Sequence, residues 1–189
     1  MKNKSRKNQK QEPKNENLLM KVKNLTCLLF SLCLALPSWA KSIPETATMD
    51  IEFVIPNIEA SIYARPYVAV WIEDKQRQPV RTIQLWVGED EWLKDLRSWW
   101  RKVGRNDRAV VDAVTSATRP VGQYRFSWDG LDQQGKRVEQ GDYTFYVEVV
   151  REHGGRNYIR QKIQLAEEGF NIQLAPTEET GLITLDYYP

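Results

Sequence analysis

Short runs in which apolar side chains recur at every second position dominate the chain from residue 49 onward, and that period commits it to β-strands. Met49, Ile51, Phe53 and Ile55 share one face of an extended segment, as in a strand with one side in a core and the other in water. A proline suited to a first strand position opens a second run, Pro66-Tyr67-Val68-Ala69-Val70-Trp71-Ile72. The polar stretch at 73–79 turns the chain into a third run at 80–87, where Ile83, Leu85 and Val87 alternate. Further strands are expected at 123–128, 142–151, 157–165, 170–174 and 182–187, with His153-Gly154-Gly155-Arg156 as a hairpin turn between two of them. The class is mainly β, and short strands at this spacing indicate an antiparallel β-sandwich. One amphipathic helix is expected over 90–103, where Trp92, Leu93, Leu96, Trp99, Trp100 and Val103 fall on one face and Gly104 ends the pattern. Residues 105–122 show no period and read as a long loop, a feature uncommon in compact domains unless it is functional or disordered.

The start of the chain reads as a leader rather than as fold. A basic stretch over 1–24 precedes an apolar run at 25–36 and then Pro37-Ser38-Trp39-Ala40. A positive flank, a short apolar core and small residues before a cleavage point are the parts of a signal peptide, here cleaved near Ala40. The run is shorter than the ~20 residues of a membrane-spanning helix, so stable membrane insertion is not expected. Leu32 before Cys33 also disfavours a lipoprotein. The expected organisation is a signal peptide at 1–40, a flexible segment at 41–48 and one domain at 49–189, working in the periplasm.

Removing the leader changes the charge balance. It holds 8 of the 27 basic residues and 2 of the 25 acidic ones, which leaves 19 against 23 and a net charge of −4. A nucleic-acid partner is therefore not expected. Both cysteines, Cys27 and Cys33, lie in the leader, so the exported domain has neither a disulfide nor a cysteine nucleophile. His153 is the lone histidine, which excludes a multi-histidine metal site.

Trp128-Asp129-Gly130-Leu131-Asp132 runs through Gly135 and Gly141 into Asp142-Tyr143-Thr144-Phe145. The glycines suit positive φ, and the two aspartates suit the capping of turn amides. This pattern resembles the immunoglobulin-like domain of flagellar hook-capping proteins and cell-surface modules, which implies an immunoglobulin-like sandwich. A calcium loop on Asp129 and Asp132 is the alternative, but the ligand spacing of an EF-hand is missing.

The most specific local signal is Asp112-Ala113-Val114-Thr115-Ser116-Ala117-Thr118. It resembles the Asp-x-x-(Ser/Thr)-Gly-Ala-Thr motif for covalent flavin attachment in subunits of sodium-pumping NADH:quinone reductases. Ser116 stands where that family has glycine. Such a heptad arises by chance in roughly one chain of this length per thousand. The resemblance implies that a FAD:protein FMN transferase joins FMN through its phosphate to Thr118, with Asp112, Thr115, Ser116 and Ala117 forming the motif. The alternative is a hydroxyl-rich turn capped by Asp112.

Arg65-Pro66-Tyr67-Val68-Ala69-Val70-Trp71-Ile72-Glu73-Asp74, Trp128-Asp129-Gly130 and Arg151-Glu152-His153-Gly154-Gly155 together look like a family of predicted periplasmic proteins of unknown function. That resemblance implies a redox setting beside flavin transferases and PepSY-type membrane proteins. Arg119, with Arg105 and Arg108, is a candidate for the flavin phosphate, and His153 for contact with the cofactor; surface and turn roles are the alternatives. Arg151 and Glu152 read as a hairpin ion pair. Trp71, Trp86, Trp92, Trp99, Trp100 and Trp128 are expected mainly in the core or docking the helix. The expectation is an electron carrier with FMN on Thr118 rather than a turnover enzyme. The competing expectation is a non-redox periplasmic binding module.

Overall fold

The computed structural model describes residues 41–189; the signal-peptide reading of 1–40 lies outside them. Nine strands form two sheets: β1 (Thr48–Ile55), β2 (Tyr67–Asp74), β3 (Pro79–Trp86), β4 (Thr115–Ser116), β5 (Gly122–Trp128), β6 (Gly141–Val150), β7 (Arg156–Leu165), β8 (Phe170–Leu174) and β9 (Ile183–Tyr188). One sheet runs β5-β1-β9-β8 and the other β4-β3-β2-β6-β7. Every pairing is antiparallel except β3 with the short β4, which is parallel. The expected β-sandwich is the architecture found.

The period-two pattern of β1 does what it predicts. Met49, Ile51, Phe53 and Ile55 are buried between the sheets against Val68, Val70, Phe145, Val147 and Leu185. β2 differs, because seven of its eight residues are buried. Its outward residues Tyr67, Ala69 and Trp71 join a second core with Leu93, Leu96, Trp99, Val103, Val110 and Val111. Helical turns thus roof the five-stranded sheet, and the molecule has three layers where the sequence suggested two.

That roof corrects two expectations. The single helix at 90–103 is broken into a 3₁₀ turn (Asp90–Asp95), one α-turn (Arg97–Trp99) and a π-turn (Trp100–Gly104). The break falls at Leu96, whose ψ of 66° is not helical. Its physical cause is Glu148 on β6, fully buried, whose carboxylate accepts the amides of Ser98 (2.9 Å) and Trp99 (2.9 Å) and so starts a new turn there. Gly104 is required where the turn ends, since a Cβ would stand 2.5 Å from Trp100 Cε3. The loop expected at 105–122 contains α1 (Arg108–Val114), capped by Asp107, which accepts the amide of Val110 at 3.0 Å, and then β4. Its valines are poor helix formers, and docking of Val110 and Val111 on the sheet supplies what propensity does not.

Residues 41–48, expected to be flexible, are docked. Ile43 and Ala47 are buried, and the Ile43 amide donates to the Val138 carbonyl at 3.0 Å. Gly130, with φ of 73°, leaves room for this: a Cβ there would meet Ile43 Cδ1 at 2.5 Å. Asp129 and Asp132 accept the backbone amides of Leu131 (3.1 Å), Gln134 (2.9 Å) and Lys136 (2.8 Å), a turn-capping role.

A candidate site at one end of the sandwich

The register brings five connections to one end of the two sheets. Ile55 pairs with Gly122, Phe53 with Ile183, Trp86 with Ser116, and Val150 with Arg156. Segments 56–66, 87–89, 117–121, 151–155 and 175–182 therefore emerge together, and the flavin-motif threonine lies among them.

The heptad folds in three parts. Asp112 is exposed on α1, where Arg108 Nε donates to it at 2.9 Å from four residues away. The Thr115 hydroxyl donates to the Val111 carbonyl at 2.6 Å, and β4 begins at that residue. Ser116 is fixed by its ladder with Trp86 and by the Val87 amide, which donates to its carbonyl at 2.9 Å; its hydroxyl lies 3.4 Å from the Leu85 carbonyl. Downstream, the Tyr124 hydroxyl donates to the Pro120 carbonyl at 2.6 Å. Ala117, Thr118 and Arg119 form an arch held at both feet. Ala117 is exposed and Thr118 half-buried. Among the described residues, side-chain hydrogen bonds engage Thr115 and Ser116 but not Thr118. The guanidinium of Arg119 lies 6.0 Å over the Trp86 ring, which itself packs against Tyr124 at 5.1 Å. Tyr124→Phe removes one foot of the arch; hydrogen exchange of residues 117–121 is expected to speed up while global stability falls by about 1 kcal/mol or less.

The second half of this end is built by a buried pair that local sequence pairs wrongly. Arg151 bonds Glu179 twice, Nε to Oε2 at 2.9 Å and Nη2 to Oε1 at 3.1 Å, with both side chains over nine-tenths buried. Glu152, the expected partner, lies instead 3.5 Å from His153 Nε2. Glu179 also accepts the Gly155 amide at 2.6 Å, and so ties the 151–155 hairpin to the 175–182 loop. Among the described residues Arg151 Nη1 is buried without a partner, and the guanidinium carbon lies 5.9 Å from the ring centre of Tyr63. Hydrogen bonding to Glu179 pushes the Arg151 pKa up; burial pushes the Tyr63 phenol up against the opposing charge of Arg151. No local spacing predicts a partner 28 residues away. The Asn157 side chain, which accepts the Glu179 amide at 2.8 Å, completes the tie.

His153 occupies a left-handed turn position (φ 56°) and is exposed. Its hairpin joins β6 to β7, the edge strand opposite β4. Its side-chain partner is Glu152, and among the described residues no hydrogen bond or ion pair joins His153 to Thr118. Arg119 is adjacent by sequence, whereas Arg108 is taken by Asp90 and Asp112.

What this arrangement can do is limited by what surrounds the hydroxyl. Among the described residues no basic side chain is hydrogen-bonded to Thr118. A half-buried threonine preceded by the small residues Ser116 and Ala117 and followed by Arg119 has the residue types that a phosphoester made by a second enzyme needs. In the described residues no helix is long and apolar enough to cross a membrane.

Residues 48–182 match the family described as "Predicted periplasmic protein (DUF2271)", more than two-thirds of the 189 residues. The chain belongs to this family. The protein is accordingly periplasmic, and the DUF2271 match spans β1 through β8, the Asp112 to Thr118 heptad and both residues of the Arg151–Glu179 pair. No curated protein matches the chain.

Proposed function

We propose that this DUF2271 protein is a periplasmic electron-transfer module carrying FMN esterified to Thr118. The observation that supports it most is the arch: the last residue of the flavinylation-like heptad stands between two fixed feet, and among the described residues its hydroxyl makes no hydrogen bond. In the modification step Thr118 Oγ bonds the phosphorus of the FMN half of FAD, the bond to AMP breaks, AMP leaves, and the hydroxyl proton passes to a base of the FAD:protein FMN transferase. The flavin, once bound, supplies one- and two-electron redox chemistry. Arg119 offsets the phosphodiester charge beside its anchor. The partner class is a PepSY-type membrane redox protein. The Trp128 to Phe145 turn signature also supports an immunoglobulin-like reading of the sandwich.

The test is co-expression with a transferase followed by intact mass. Wild type should gain the mass of FMN less one water, Thr118→Ser should retain it, and Thr118→Ala should lose it completely. A colourless wild type, or a flavin that survives Thr118→Ala, overturns the proposal and leaves the non-redox binding module.

A further inference from the structure

We infer that the isoalloxazine ring of the Thr118-linked flavin rests on an apolar rim made by Ile62, Tyr63, Val121 and Leu182, with Tyr63 as its stacking partner. This rests on the proposed flavinylation of Thr118. Six large apolar side chains are exposed in the described domain, and four of them, Ile62 (65%), Tyr63 (38%), Val121 (42%) and Leu182 (40%), lie in the connections at the end that carries Thr118. Single exposed apolar residues are ordinary, but their concentration at one end marks a surface that is covered in use. The end is defined by strand register: Gly122, next to Val121, pairs with Ile55, which opens the 56–66 segment, and the Gly181 amide donates to the neighbouring Val54 carbonyl at 2.9 Å.

The occupant follows from the tether. A ring linked through ribityl phosphate to Thr118 is confined to the surface around its anchor, and the rim begins at Val121, three residues along the chain. Tyr63 is placed for stacking, because its ring has Arg151 against it, and Arg151 is locked by Glu179.

A tyrosine in van der Waals contact quenches flavin fluorescence by donating an electron to the excited ring, and a ring held on one face acquires visible circular dichroism. In flavinylated protein, verified by intact mass, Tyr63→Leu is expected to raise the fluorescence yield severalfold. The triple change Ile62→Ser, Val121→Ser, Leu182→Ser is expected to weaken the dichroism of the flavin bands. Tyr158→Leu, an exposed tyrosine on β7, should change neither. Full FMN mass with unaltered fluorescence in Tyr63→Leu and unaltered dichroism in the triple variant overturns this inference while leaving flavinylation standing. Wild type without FMN mass overturns both.

Discussion

Glu148→Ala is expected to lose about 3–5 kcal/mol of stability, a large share of the ~5–15 kcal/mol that holds a domain of this size. Its carboxylate sits fully buried between the five-stranded sheet and the helical roof. It accepts the amides of Ser98 and Trp99 and, from the side, Arg156 through Nε (2.8 Å) and Nη2 (2.6 Å). Removing it strands two amides under Trp99, a residue with no exposed surface, and leaves a cavity in the second core. Arg156 contributes less, because its side chain is about one-third exposed. Glu148→Gln keeps one acceptor oxygen and should lose roughly half as much. Urea unfolding measures both; a Glu148→Ala midpoint equal to wild type, with unchanged slope, refutes the account of why the helix breaks at Leu96.

Glu179→Ala is the second large effect, again about 3–5 kcal/mol, because it leaves Arg151 as an uncompensated buried cation with all its bonds to the carboxylate gone. The melting temperature should fall by about 10 °C or more. Unlike Glu148, this residue acts on the candidate site. The 151–155 and 175–182 segments lose their tie, and hydrogen exchange should rise first at Gly155 and around Thr180, whose amide and hydroxyl bond Thr177. Double replacement Arg151→Met with Glu179→Leu should recover much of the loss, since no unpaired charge remains. If the double variant is no more stable than Glu179→Ala, the penalty does not come from the orphaned cation.

The candidate site was half legible. The heptad was visible because its residue types and spacing are local, and so was the fact that Thr118 lies in a connection between elements. What holds that connection was not. Trp86 and Val87 fix Ser116 from about thirty residues away, and Tyr124 fixes Pro120 by a hydroxyl that carries no pattern. Local sequence pairs Arg151 with its neighbour Glu152, because a hairpin favours near partners; the buried guanidinium takes instead a carboxylate that is equally shielded from water.

The sequence alone determined the β class and the faces of the strands, because the period of two in Met49 to Ile55 and its counterparts is set by backbone geometry within each segment. It also determined the turn at Trp128 to Gly141, where glycine and aspartate act on their own neighbourhood. Only the tertiary structure decided where helices start and stop, that residues 41–48 dock, and which side chains share an end with Thr118. Those outcomes depend on desolvation and on hydrogen bonds between residues tens of positions apart. Glu148 shows the difference most plainly: as a letter in β6 it reads as a solvent-facing strand residue, and in the folded domain it is the cap that breaks a helix fifty residues earlier.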